Sequence, residues 1–448
     1  MTLIEETKAL APWAERLPAD WRATRLDAIA DVLFSNVDKH TIEGEQTVRL
    51  CNYVDVYKNE RITGKLDFME ATAEPREVKK FQIRRGDVLA TKDSEEPDDI
   101  AIPSLVTEDI PDVLCGYHLA MIRPRYKNAH GPFIAWTHAS KQFRAQYEAK
   151  AVGVTRFGLS QYAFRAARFP LPPLLEQQRI AAYLDASCAA IDAAVAAKQR
   201  QIETLDSLRK TIIAQVVTKG LNGEAELRDS GVQWFGQIPK HWRCEHLKRF
   251  TTRIQTGCTP PTDTPDYYFD GTIPWFAPGS YDGNIELREA RKLINELARR
   301  EGVLRMFPTE TVFLVGIGAT IGKVGLIRQE AACNQQIIGI VSTHRMIGRY
   351  LAYQFKIYED VIPGIASATT LPIFDQVKTG YLPTLQPPSA EQEAICTFLD
   401  EKLAELKCLV AGIETQIATL VAYRKSLIHE CVTGQRRITD ADIQRAGG

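Results

Sequence analysis

The chain states one plan twice, and this constrains its fold more than any other property. PPLLEQQRIAAYLDASCAAID (172–192) aligns with PPSAEQEAICTFLDEKLAELK (387–407). Glu176–Gln177 matches Glu391–Gln392, Ile180 matches Ile395, and Leu184–Asp185 matches Leu399–Asp400. The offset of 215 residues holds without a gap as far as Val217–Thr218 and Val432–Thr433. Upstream, RLPADWRATRL (16–26) matches QIPKHWRCEHL (237–247) through Pro18, Trp21, Arg22 and Leu26 against Pro239, Trp242, Arg243 and Leu247. Each copy therefore runs Pro-x-x-Trp-Arg, variable block, Pro-Pro, long helix. Inside the blocks similarity nearly vanishes, leaving echoes such as CGYHLAMI (115–122) against CNQQIIGI (333–340). Preserved frames with divergent inserts predict two equivalent scaffolds carrying different binding surfaces. A duplicated enzyme domain with one drifted copy fits less well, because the helices, not the globular blocks, kept their likeness.

The helical segments carry a heptad seam. In the first copy it runs Leu184, Cys188, Ile191, Val195, Lys198, Ile202, Leu205, Arg209, Ile212, Val216. In the second it runs Leu399, Leu403, Leu406, Val410, Ile413, Ile417, Leu420, Arg424, Leu427, Cys431. Steps of four and three alternate throughout, the rhythm of a coiled coil. Pro172–Pro173 and Pro387–Pro388 set the starts, and Gly220 and Gly434 mark the ends. Such a rod is about 65 Å long. Its economical partner is the other copy, packed antiparallel if a pseudo-two-fold relates them. Helices of another subunit are the alternative. Arg209 and Arg424 interrupt the seam at equivalent places, either fixing register or, the favoured reading, snorkelling to the surface.

Composition narrows the class. At 45% hydrophobic and 25% charged residues the chain should form globular cores. No apolar run reaches the ~18 residues of a membrane span, and the opening MTLIEETKALAPWAERLP lacks a signal-peptide pattern. A cytoplasmic protein is expected. The nine cysteines form no CxxC pair and read as reduced thiols. A net charge of −1 does not advertise a nucleic-acid binder, yet the local field over a contact face decides that. REVKKFQIRRGD (76–87) and RKLINELARREGVLR (291–305) are basic runs, more commonly solvated faces than binding surfaces.

GIGATIGKV (316–324) resembles a phosphate cradle, but Ile317 stands where the first P-loop glycine belongs and Val324 replaces the Mg²⁺-binding hydroxyl. TVFLVG (311–316) and KVGLI (323–327) are β-prone, so the run reads as a turn between strands. Its glycines either let the backbone approach a sugar–phosphate strand or serve the fold alone. No methyltransferase Asn/Asp-Pro-Pro-aromatic motif is present. His241, Cys244, His246 and Cys258 cluster without a second paired motif, so no metal is expected.

DSGVQWFGQIPKHW (229–242), PPLLEQQRIAAYLD (172–185), VTKGLNG (217–223) and GATIGKVG (318–325) together resemble the specificity subunits of type I restriction–modification enzymes. The likeness covers nearly the whole chain. It implies an α+β fold: two globular target recognition domains joined by two long helices that form an antiparallel intrachain coiled coil with pseudo-two-fold symmetry. Residues 1–21 would be an N-terminal segment, 22–170 the first recognition domain and 171–225 its spacer helix. A connector (226–242), the second domain (243–385), the second spacer helix (386–440) and a tail (441–448) would follow. The seam would be Leu184, Ile191, Val195, Ile202, Leu205 and Ile212 against Leu399, Leu406, Val410, Ile417, Leu420 and Leu427.

The resemblance further implies a non-catalytic reader of a split, asymmetric target in double-stranded DNA. Two methyltransferase subunits and restriction/translocase subunits would be its partners. S-adenosylmethionine, ATP and Mg²⁺ would belong to those partners, with no cofactor bound here. A duplicated coiled-coil scaffold or decoy that binds only protein is the alternative. Side chains able to contact bases or phosphates are Thr259, Thr262, Tyr267, Tyr268, Thr320, Lys323, Asn334, Gln335 and Gln336 in the second block. In the first they are Tyr117 and His118, which echo Gln335 and Gln336, with Lys92, Arg84 and Arg85 expected nearby. The first block lacks a GATIGKVG run; its nearest match is GDVLATKDSEEPDD (86–99).

Overall fold

The computed structural model describes residues 11–366 and 372–447. Residues 1–10 of the expected N-terminal segment, 367–371 of the second block and the last residue of the tail lie outside them. The chain forms two compact units, one made of residues up to Lys198 with those from Glu414 onward, the other of Gln199–Ile413. Each long helix therefore contributes one half to each unit.

The two blocks share one topology. In the first unit a five-stranded sheet has the order Ala30–Phe34, Leu119–Pro124, Val88–Thr91, Pro103–Val106, Arg61–Ile62. In the second the order is Thr251–Thr256, Ile337–Ser342, Val312–Val315, Val324–Ile327, Glu286–Leu287. In both, only the outermost short strand pairs in parallel. Register fixes the equivalence: Val88 lies opposite Leu105 and Ile122, as Val312 lies opposite Leu326 and Ile340. Each sheet is a middle layer. Val88 and Ala90 face the helices while Leu89 faces a three-stranded sheet formed by Met69–Ala73, Gln46–Cys51 and Val113–Cys115. In the second unit Val312 and Leu314 face the helices, and Phe313 and Val315 face the other way. Burial on both faces explains why VLAT and VFLV are nearly unbroken apolar runs.

The repeated residues are those that fasten each block to its rod. Trp21 donates its indole N–H to Glu176 at 3.0 Å, and Trp242 does the same to Glu391 at 2.9 Å. The Gln177 side-chain oxygen accepts from His130 N while its amide nitrogen donates to the Asn128 and Pro172 carbonyls. Gln392 repeats this with Ile347, Arg345 and Pro387. A buried polar group without such partners is costly, so these residues could not drift freely. Short ribbons, Arg22–Arg25 with Arg168–Leu171 and Arg243–His246 with Pro383–Gln386, close each block beside its rod.

The rods are single helices, Leu174–Lys219 and Ser389–Val432. In the first unit Leu184, Cys188 and Ile191 share a core with Leu427 and Cys431, with Val195 and Leu420 packed against it. Ascending residues of one rod meet descending residues of the other, so the pair is antiparallel. In the second unit Ile213, Val216 and Val217 join Ile395, Cys396 and Leu399, flanked by Ile212 and Leu403. Every seam residue named from the sequence is buried or half-buried, including Ile202, Leu205, Leu406, Val410 and Ile417. Both rods end in left-handed glycines, Gly220 at φ 72° and Gly434 at φ 74°. A Cβ at Gly220 would stand 3.1 Å from the Trp242 ring, and one at Gly434 would stand 2.5 Å from Pro18.

Two expectations need correction. Arg424 does not snorkel: its side chain is 17% exposed and bound to Glu60 and Asp192, which come within reach only in the folded unit. Nor is the chain free of span-like stretches. Each rod holds an 18-residue stretch apolar enough on average to cross a membrane.

Candidate nucleic-acid interface

The candidate site in each unit lies at one end of its five-stranded sheet. There the loops leaving the first and third strands meet the turn that enters the second. In the second unit that turn is Asn334–Gln335–Gln336. Asn334 is 7% exposed and shapes it, its side-chain oxygen accepting from Gln336 N at 3.1 Å and its amide donating to the Gln336 side chain at 3.0 Å. Gln335 is exposed and accepts from the Thr259 hydroxyl. Gly316 N donates to Gln336 O at 2.8 Å, bringing the GIGATIGKV turn alongside. Gly257 packs so closely that a Cβ there would lie 2.0 Å from Cys333 O. Thr259, Gln335 and Gln336 thus form one cluster whose amides and hydroxyl can both donate and accept.

The first unit builds the same corner from other residues. Lys92 N donates to His118 O, the counterpart of the Gly316–Gln336 bond, so Tyr117 and His118 occupy the places of Gln335 and Gln336. The Lys92 ammonium sits 4.1 Å from the centre of the exposed Tyr117 ring, and burial lowers its pKa. His118 Nδ1 lies 2.8 Å from Asp93 and 3.1 Å from Arg156, which itself pairs with Asp93 at 2.5 Å. The amide-rich corner of one unit is therefore an aromatic and ionic corner in the other.

Other sequence candidates fall elsewhere. Arg84 and Arg85 precede Val88–Thr91, whereas Lys92 follows it, so the strand puts about 13 Å between them. They sit at the opposite end of the sheet, and the expected proximity to Tyr117 and His118 is wrong. Tyr267 is 8% exposed and belongs to a small core with Trp275 and Ile294, its hydroxyl bonded to Glu301. Tyr268 is half-buried and donates to Pro260 O at 2.7 Å, with Lys292 over its ring. Both tyrosines shape the loop rather than project from it. Thr262 is exposed on that loop, and Lys323 is exposed on the GIGATIGKV turn, beyond half-buried Thr320. This turn joins Val312–Val315 to Val324–Ile327, so a strand follows it where a P-loop has a helix. Cys244, Cys258, His241 and His246 do not converge: Cys258 contacts Val303 and Arg305, His246 the Tyr381 carbonyl, and His241 the Glu391 carboxylate.

Two residues at these corners were not among the contacts named from the sequence. Arg156 arrives because Phe157–Gly158 pairs with Asp93–Ser94 across 63 residues. Arg305 reaches the Thr256 carbonyl at 2.8 Å from a basic run that otherwise reads as surface. Both placements depend on tertiary pairing, which has no local pattern.

Comparison with known proteins matches this architecture. Residues 51–204 and 246–417 each fit the type I restriction modification DNA specificity domain. The chain is 21% identical over 430 residues to the putative type I restriction enzyme MjaX specificity subunit of Methanocaldococcus jannaschii, covering 94% of this chain and 95% of that one. It is 26% identical over 205 residues to the type I restriction enzyme EcoBI specificity subunit of Escherichia coli, spanning 44% of this chain and 42% of that subunit. Two solved structures share the fold at 18% identity. A chain described under complex assembly and conformational transition of the type I R-M system superposes with a TM-score of 0.73 over 94% of this chain and 99% of its own. The HsdS subunit from Thermoanaerobacter tengcongensis gives 0.54 over 94% and 98%.

Proposed function

The chain belongs to the type I restriction–modification DNA specificity family, and from that membership we propose that it selects a split, asymmetric duplex sequence without performing chemistry itself. Each unit reads one half-site through its sheet-end corner. The paired rods set the gap and carry two methyltransferase subunits, joined in the full system by restriction/translocase subunits. S-adenosylmethionine, ATP and Mg²⁺ serve those partners, in the cytoplasm.

One observation carries this reading. Equivalent corners on one scaffold hold Thr259, Gln335 and Gln336 in the second unit but Lys92, Tyr117 and His118 in the first. Glutamine can pair bidentately with adenine N6 and N7, whereas a lysine beside an aromatic ring suits guanine or phosphate. Unlike corners on like scaffolds are what an asymmetric target requires, because identical corners would select a palindrome.

Mapping methylated adenines genome-wide, with and without this protein, tests the proposal. A bipartite, non-palindromic motif should appear only when the protein is present. Replacing residues 243–385 with another block of this family should change one half of that motif and leave the other. A symmetric motif, or a change in both halves, counts against independent corners.

A further inference from the structure

The units share a scaffold, so a difference between equivalent positions is informative. In the first unit Arg424 binds Glu60 through both carboxylate oxygens, at 2.7 and 2.8 Å, and lies 3.0 Å from Asp192 of the other rod. Its guanidinium lies 5.6 Å from the Trp136 ring centre, and the Trp136 indole donates to Asp185 at 2.7 Å. These side chains close the rods onto the block. The space left beside Trp136 is about 30 Å³.

The second unit keeps the frame but changes the residues. Arg209 corresponds to Arg424 and Lys407 to Asp192 by the repeat offset. Ile285 corresponds to Glu60 by register: Leu105 N donates to Glu60 O at 3.0 Å, and Leu326 N donates to Ile285 O at 2.7 Å. Tyr353 stands for Trp136, its hydroxyl reaching Asp400 as the indole reaches Asp185. Two carboxylates around one cation have become two cations with no carboxylate at either place. Arg209 turns to Asp206 of its own helix, at 2.8 Å. Lys407 donates to the Asn284 side chain at 3.3 Å, with Asp282 close enough to feel its charge. A cleft of about 680 Å³ opens here, floored by Leu205, Leu406 and Val410 of the rods. The other carboxylates lining it are engaged: Glu286 by Arg288 and Arg328, Asp400 by Arg349 and Tyr353.

We infer that this cleft is a socket for an apolar segment of a partner protein bearing an aspartate or glutamate, seated between Arg209 and Lys407. The incoming carboxylate takes the place that Glu60 fills in the first unit, and apolar neighbours complete the burial of the half-buried rod floor. At the equivalent place in the first unit Arg424 is already closed on Glu60 and Asp192, so no open pair of cations is left there for an incoming carboxylate. The partner is the methyltransferase subunit, so the inference rests on the function proposed above.

The test is a calorimetric titration of the full-length protein with the methyltransferase subunit of its own system. Ile285→Glu/Lys407→Asp should rebuild the clamp from within, and Arg209→Glu removes a cation without filling the cleft. Each should weaken one of two binding events at least tenfold and spare the other, with thermal unfolding confirming a folded protein. If both variants bind like the parent, or if both events weaken equally, the socket is overturned and the proposed function stands. If the parent protein binds no methyltransferase, the proposed function fails and the socket fails with it.

Discussion

His138 lies in the core of the first unit with both ring nitrogens engaged. Nδ1 faces the Ile134 carbonyl at 2.8 Å, which can only accept, so Nδ1 carries the proton and Nε2 accepts from the Tyr147 hydroxyl at 3.0 Å. Burial pushes its pKa from 6.5 down to about 4. Between those values the unfolded chain binds a proton that the folded chain refuses, so stability is full above pH 6.5 and falls as pH drops toward 4. The loss approaches ~3 kcal/mol. Thermal unfolding of the parent and His138→Gln, measured at pH 7 and pH 4.5, should show a smaller acid-induced drop in the variant; an equal drop would place the proton elsewhere. Single residues also show what a sequence hides. Arg209 and Arg424 are indistinguishable in the repeat, yet one bridges a rod to its block and the other pairs within its own helix. Their partners, Glu60 and Ile285, come from the blocks that diverged.

The elements most legible in the sequence were those with strong periodicity or punctuation. The heptad steps marked both rods, and paired prolines and glycines marked their ends. The faint echo between CGYHLAMI and CNQQIIGI proved to be one turn, because the strand it enters is buried on both faces and tolerates little change. The loops were less legible. In the loop of residues 256–271 the polar composition conceals that Tyr267 closes a small core, and residues 76–87 run past a sheet end that no local pattern marks. The turns invite a direct experiment. Gln335→Ala and Gln336→Ala should relax selection at one half-site, and Tyr117→Ala with His118→Ala at the other. Each lost bidentate contact is worth ~1–3 kcal/mol, or roughly a ten- to hundredfold change in discrimination. Competition binding against duplexes altered in one half reads this directly. Loss at both half-sites from either pair of substitutions would count against two independent turns.

At the scale of the molecule, the rods are uninterrupted helices crossing from one unit to the other, and the seam keeps its rhythm along both. Inserting one heptad into each rod, near residues 200 and 415, preserves that rhythm and adds about 10 Å. The preferred gap between half-sites should grow by about three base pairs, at ~3.4 Å per step. An unchanged gap in methylation maps of the insertion variant would remove the rods from any role in spacing.

The division of the rods also bears on the order in which the chain can mature on a ribosome. The second unit is one continuous stretch, 199–413, and emerges whole. The first waits for Leu427, Ile428, Cys431 and Val432 to finish its core. The half translated earliest is thus sealed last, and a premature stop codon after residue 413 would cripple the domain at the far end of the gene from the lesion.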